Sequence, residues 1–156
     1  MSTPIKSQKT ELFWASAATT ATRAVAITGI SGLGGPKDQI DTSNLDNIED
    51  RTFVSGLSSP SPVTVSFNVH KDEASHTALL ALKTSGAVVS WGIYSSDAAT
   101  APTAVGSVMQ GVADRASAIF NAYVADINID IGGNDIWKGT ITLQRSGQVT
   151  WDLTTV

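Results

Sequence analysis

Apolar and polar residues alternate along much of this chain. Val63, Val65, Phe67 and Val69 are interleaved with Thr64, Ser66, Asn68 and His70, the period of two of an antiparallel strand with one buried face. Val89, Trp91 and Ile93 share one face of the run 87–95. Tyr123, Ala125, Ile127, Ile129 and Ile131 alternate with Val124, Asp126, Asn128 and Asp130. Trp137, Ile141 and Leu143 alternate with Lys138, Thr140 and Thr142, and Val149, Trp151 and Leu153 with Thr150, Asp152 and Thr154. An earlier run, 23–30, places Val25 and Ile27 on one face. Short breaks at Gly132-Gly133-Asn134-Asp135 and Ser146-Gly147 predict that the last three strands are consecutive hairpins or a meander.

One segment departs from this period. Asp72 is placed to cap a helix over Glu73 to Lys83, with Glu73 near its positive end and Lys83 near its negative end. Ser75, Ala78, Leu79 and Leu82 recur at spacings of three and four, and Gly86 supplies a stop. The expectation is seven or eight strands with one short amphipathic helix, whose apolar stripe covers a sheet or an open end of a sandwich.

The remaining stretches look irregular. Residues 1–22 read as an N-terminal arm, with Leu12, Phe13 and Trp14 as an apolar knot that packs on its own domain or docks on a neighbour. Residues 31–62 open with Gly32-Leu33-Gly34-Gly35-Pro36, close with Pro60-Ser61-Pro62, and carry Asp38, Asp41, Asp46, Glu49 and Asp50 ahead of Arg51. Residues 96–117 are rich in Ala, Thr, Ser and Gly. Long unstructured loops are uncommon in compact domains unless they are functional, so these segments are expected to serve neighbouring subunits.

Composition narrows the chemistry. The chain has 156 residues, no cysteine, 15% charged residues and a net charge of −4. Disulfides and thiolate metal sites are excluded, and a pI near 4.9 argues against a basic nucleic-acid patch. No run approaches ~18 apolar residues, so no transmembrane helix is expected, and Met1 to Glu11 lacks the apolar core of a secretory signal. Length fits one domain. The 18 Ser and 18 Thr supply an unusually neutral polar surface.

No catalytic set can be assembled. Gly29-Ile30-Ser31-Gly32-Leu33 fails the nucleophile-elbow pattern at its last position, there is no Gly-Lys pair for a phosphate loop, and Gly32, Gly34 and Gly35 do not make a dinucleotide fingerprint. His70 and His76 lack a carboxylate at ligand spacing and read as solvated surface histidines. Asp126-x-Asn128-x-Asp130 begins like a calcium loop, but Ile131 and Trp137 stand where its glycine and bidentate Glu belong. A strand with a polar face explains that spacing better. Of the four tryptophans, Trp91, Trp137 and Trp151 fall on apolar strand faces and read as core.

The segment Asp38-Gln39-Ile40-Asp41-Thr42-Ser43-Asn44-Leu45-Asp46, then Arg51-Thr52-Phe53-Val54-Ser55-Gly56-Leu57, resembles the stretch before the first hairpin strand in major tail tube proteins of long, non-contractile-tailed, lambda-like phages. Ser55 stands where many members have proline. The order downstream is also similar: strand 63–69, an Asp-initiated helix with His76 and Leu79-Leu80, a strand with Trp91, a loop, a strand with Ala122-Tyr123-Val124, and closing strands that end near Ser146-Gly147. The resemblance covers roughly residues 23–153.

It implies a mainly β fold, an antiparallel β-sandwich or barrel of two sheets flanked by one short α-helix, in one domain over 1–156. The C-terminal immunoglobulin-like domain of larger members is not expected. It implies a structural virion protein, assembled in the host bacterial cytoplasm into stacked hexameric rings that form the tail tube. DNA transits the lumen without specific binding, and the partners are other copies of the chain and tape-measure, tail-tip and tail-terminator proteins. No cofactor, metal or membrane anchor is expected. Candidate subunit contacts are Phe13, Trp14, Ile40, Asp41, Leu45, Asp46, Arg51 and Phe53. Six copies at −4 give −24 per ring, a charge that would repel DNA from the wall, with Asp126 and Asp130 as lumen-facing candidates. Two alternatives remain at this level: a ring-forming tube of the type VI secretion kind, and a carbohydrate-binding β-sandwich with a surface aromatic platform.

Overall fold

The computed structural model describes residues 2–46 and 49–154. The first residue of the expected arm, residues 47–48 of the expected loop and residues 155–156 lie outside the described residues. Along the chain run β1 (Glu11–Ala15), β2 (Ala21–Ala24), β3 (Ile27–Ser31), β4 (Lys37–Asp41), β5 (Phe53–Ser58) and β6 (Val63–Asn68). They are followed by α1 (Ala74–Ser85), β7 (Val89–Tyr94), β8 (Ala104–Val105), β9 (Val108–Met109), β10 (Ser117–Asp130), β11 (Lys138–Arg145) and β12 (Thr150–Asp152).

The main sheet follows the order β2-β1-β7-β10-β11-β6-β3, with β12 also paired to β10. Every pairing in it is antiparallel. Two separate ribbons, β4-β5 and β8-β9, complete the strands. β2 and β3 stand at opposite ends of this path, yet only Val25 and Ala26 link them. Three Cα steps span at most about 11 Å, so the sheet must curl until its two ends nearly meet. The expected mainly β, barrel-like architecture with one short helix is therefore present.

The inside of the curl is the main core. Leu12, Trp14, Val63, Val65, Trp91, Phe120, Ile141 and Leu143 meet there with Leu79 of α1. Trp14 and Trp91 pack with ring centroids 5.6 Å apart, and the Trp91 Nε1–H donates to the Ala122 carbonyl at 3.1 Å. A second cluster lies on the other side of β1 and β7, where Phe13 and Tyr94 pack with Ala104 and Met109 of the β8-β9 ribbon. Tyr94 stands edge-on to Phe13 and donates its hydroxyl to the Gln110 carbonyl at 2.7 Å. Burial pushes its phenol up to about 12.

Several expectations change. The arm shrinks to residues 2–10, because 11–15 and 21–24 are strands of the main sheet. The run 23–30 is two strands: Ala26 has φ 62°, and the chain turns there from one end of the sheet to the other. Its carbonyl accepts from the Asn68 N–H at 3.0 Å. The N-cap of α1 is Glu73, whose carboxylate accepts from the Ser75 N–H, while Asp72 lies outside with φ 60°. Gly86 ends the helix as expected, with the left-handed φ of 65° that its lack of a side chain permits.

The strand pattern also shifts at two places. A bulge between Val124 and Asp126 leaves Ala125 without a partner on β11 and moves the inward set from even to odd positions. Phe120, Ala122 and Val124 are core, and Ile127 packs against it beyond the bulge, whereas Tyr123 is exposed. β10 and β11 form the expected hairpin, but Ser146-Gly147 is no hairpin turn. β12 pairs with β10 along the edge that β11 uses, and Gly147 at φ 93° lets the chain jog and continue in the same direction. Trp137 and Trp151 are half exposed, at 52% and 54%, because Trp137 lies beyond the end of the core and β12 lies at a sheet edge.

Candidate assembly surfaces

The 31–62 segment is not a loop without structure. It is a β-ribbon standing off the barrel, with Gln39 opposite Ser55, Ile40 opposite Val54 and Asp41 opposite Phe53. Its foot is clamped by Arg145, which is buried at the end of β11. That guanidinium donates through Nε to the Ser61 carbonyl at 3.2 Å and through a terminal nitrogen to the Gly34 carbonyl. Beyond the strands the pairing runs on, with the Thr42 N–H donating to the Thr52 carbonyl at 2.9 Å and the Thr52 N–H to Ser43 Oγ at 2.9 Å. The Ser43 hydroxyl and then its N–H hold the Asp41 carboxyl below the usual carboxylate range, so Asp41 is negative at neutral pH.

Six of the expected contact residues come together here. Ile40, Asp41, Leu45, Asp46, Arg51 and Phe53 are all exposed on this ribbon or its tip. Leu45 is fully exposed, and Leu57 and Val54, which were not among the expected contacts, are exposed at 85% and 54%. Residues opposed in an antiparallel pair share a face. Ile40 and Val54 therefore occupy one face and Phe53 the other, so both faces of a two-stranded ribbon present apolar side chains to water. Such a ribbon is marginal alone, and contiguous exposed apolar surface marks a contact site.

Phe13 and Trp14 do not belong to this surface. They are 8% and 2% exposed, buried on opposite faces of β1 by the chain's own two cores. They are therefore not the exposed subunit contacts expected from the sequence: an apolar knot in a polar stretch becomes a strand once β2 and β7 pair with it.

The acidic candidates Asp126 and Asp130 are exposed, and each has a partner. Asp126 forms an ion pair with Lys83 of α1 at 3.2 Å. Asp130 accepts from the Asn128 amide at 3.1 Å and stands opposite Lys138 in register. The neighbouring outward face is largely neutral: Thr64, Ser66, Thr140, Thr142 and Gln144 lie there between the inward residues of β6 and β11, and the charged member of that row on β11, Lys138, is ion-paired to Asp135 at 2.8 Å.

The two histidines pack edge to face, with ring centroids 6.0 Å apart, but differ in burial. His70 is exposed, but His76 is 7% exposed and is built into the barrel's corner. Its Nδ1 accepts from the His70 N–H at 3.2 Å, so its Nε2–H donates to the Val25 carbonyl at 3.0 Å. Ser75 Oγ accepts from the Val25 N–H at 3.4 Å. The reading of His76 as a solvated surface residue is thereby corrected. Among the described residues no three His, Asp or Glu side chains are grouped to hold a metal ion.

The 96–117 segment is also anchored. Arg115 is 1% exposed and donates to the carbonyls of Ser95 at 2.7 Å and Thr100 at 3.0 Å. It also reaches Glu11 at 2.9 Å, which in turn pairs with Arg23 at 3.0 Å.

Comparison with known proteins agrees with this geometry. Residues 3–155 match the family model described as phage tail tube, TTP, lambda-like. Structural protein 3 of Pseudomonas phage PAJU2 is 34% identical over 116 residues, covering 71% of this chain and 70% of that protein. Among solved structures, the sheath/tube terminator of an extracellular contractile injection system, PVC, superposes with a TM-score of 0.69 at 16% identity, over 97% of this chain and 98% of that one. The SPP1 tail tube protein superposes with a TM-score of 0.66 at 14% identity, over 97% and 82%. These structural likenesses show a shared fold, while the family match and the curated relative show kinship. The chain belongs to the lambda-like phage tail tube family and is a structural protein of the virion tail, not an enzyme.

Proposed function

We propose that this chain polymerises with itself into hexameric rings that stack into the tail tube through which DNA leaves the virion. The observation that carries the reading is the clamped ribbon. Leu45 lies eleven residues beyond Gly34, and at about 3.3 Å per residue the ribbon reaches on the order of 35 Å from its foot. That is about twice the ~15 Å radius of gyration of a compact chain of this length. An arm of this reach, rigid at its foot and apolar on both faces, finds its covering on neighbouring copies. Because the arm and its receptor differ, the contact is heterologous and repeats without closing along an axis.

The neutral hydroxyl and amide face of β6 and β11 suits a lumen that DNA must slide past, and Asp126 and Asp130 stand beside it as the wall's acidic groups. The solved neighbours include chains from structures of a sheath/tube terminator, a tube-terminating cap and a baseplate. By kinship, terminator and tip proteins close the two ends of this tube, and a tape-measure protein fills it during assembly.

Negative-stain electron microscopy across a concentration series, with and without tail-tip seeds, tests the reading. Hollow tubes of uniform width are expected. Discrete rings would favour a secretion-type relative, and a monomer that ignores seeds would overturn tube formation. Replacing Asp126 and Asp130 with Lys is expected to slow DNA ejection. Normal infectivity would remove both from the lumen.

A further inference from the structure

A second unmatched apolar surface lies elsewhere on the molecule. Ile5, Leu33, Ile93, Trp151 and Leu153 line an open groove between the N-terminal segment and β12. Ile5, Trp151 and Leu153 are 48%, 54% and 63% exposed. Lys6 borders the adjoining part of this groove. Residues 2–10 contain Lys6 and Lys9 and no acid, so the N-terminal side of the rim is basic, whereas Asp97 and Asp114 stand at its other side, next to Leu153. The ribbon has the opposite charge: residues 37–51 hold Asp38, Asp41, Asp46, Glu49 and Asp50 against Lys37 and Arg51.

We propose that this groove receives the Ile40–Val54 face of the β4-β5 ribbon from a second copy of the chain, with Lys6 and Lys9 set against the ribbon's acids. The inference rests on the tube reading and adds to it the identity of the receptor. Three observations point to this occupant. Each copy carries one apolar ribbon and one apolar groove, so the numbers of donors and receptors match in a polymer of any length. The basic N-terminal side of the rim complements the ribbon's acids while the Asp97 and Asp114 side does not, which fixes the orientation in which the ribbon can enter. The ribbon's own foot is held by Arg145 beside the groove's Leu33 end, and none of the described residues from Asp38 to Val54 lines the groove of its own copy, so the distal part of the ribbon is left to another copy.

Carbodiimide cross-linking of assembled wild-type tubes tests this directly, because it joins an amine only to a carboxylate in contact with it. Mixing isotopically light and heavy copies separates links between chains from links within one. The expected result is inter-chain links from Lys6 or Lys9 to Asp38, Asp41, Asp46, Glu49 or Asp50. Inter-chain links from these lysines only to Asp126, Asp130 or Asp152 would place another part of the neighbour in the groove and overturn the proposal, while the tubes themselves keep the tube reading intact. Failure to form tubes even with seeds would overturn both. A charge swap supplies the second arm. Lys6→Glu with Lys9→Glu is expected to lower polymer mass at least tenfold, and adding Asp38→Lys with Asp41→Lys to the same chain is expected to restore it. A folded Lys6→Glu/Lys9→Glu chain that assembles like wild type would overturn the proposal.

Discussion

Two side chains show how single residues hold this protein's irregular parts. Arg115 is buried between β1, β7 and the 96–117 segment, and its hydrogen bonds to Glu11, to the Tyr94 and Ser95 carbonyls and to the Thr100 carbonyl join all three. Removing a buried charge's partner commonly costs several kcal/mol, but Glu11 is partly exposed and retains Arg23. Arg115→Met is therefore expected to lose about 2–3 kcal/mol, measured by urea unfolding; a loss below about 0.5 kcal/mol would show the guanidinium to be incidental. Tyr94 sets an alkaline limit. Its phenol titrates near 10 when unfolded and at about 12 when folded. The buried neutral form therefore stabilises the fold fully below pH 10, and that stability is lost as pH rises through about 12, by on the order of 2–3 kcal/mol. Wild type minus Tyr94→Phe, compared between pH 9 and 12, should show that fall; parallel curves would refute it. Neither role was legible in the sequence. Arg115 reads as one base in a small-residue stretch, and only the packing of β1 against β7 encloses it.

At the scale of elements, local pattern was a good guide wherever the period was unbroken. β6, β7 and β11 lie where alternation put them, and α1 has its stripe and its glycine stop. It failed where one residue changes the phase. Ala125 is an ordinary apolar position by sequence, yet as the bulge residue it exposes Tyr123 and sends Phe120, Ala122 and Val124 inward. Deleting Ala125 is expected to destabilise severely, since a one-residue slip turns the rest of the strand over, while Ala125→Gly should cost about 1 kcal/mol or less. Equal melting temperatures for the deletion and wild type would refute the bulge's role. The ribbon gives the opposite expectation. Replacing residues 40–55 with a two-residue turn should leave the monomer's melting temperature within about 3 °C, since none of the described residues among them is in either core, and should abolish polymerisation. Tubes formed by that variant would show that the ribbon is not the assembly arm. Its character as a long acidic segment was legible from Asp38 to Arg51; its strand pairing was not, because Lys37 to Asp41 has no apolar alternation to announce it.

At the scale of the molecule, the decisive feature is that the chain passes from one end of the sheet to the other in two residues. His76 and Ser75 hold that link through Val25. His76→Ala is expected to cost about 2 kcal/mol by leaving polar groups at the corner unpaired. It should also raise hydrogen exchange in β2 and β3 together, although they are at opposite ends of the sheet path. Faster exchange in only one of them would mean that the corner does not couple the two. Strand period, helix stripe, cysteine-free composition and the acidic 38–50 segment were determined by the sequence itself, since each depends on residues near in the chain. So was the kinship, carried by the order of those segments. The burial of Phe13 and Trp14, the corner role of His76 and the reversal of phase at Ala125 were decided only by tertiary structure. Each depends on what a residue meets across the barrel, and curling the sheet brings together positions that no local pattern relates.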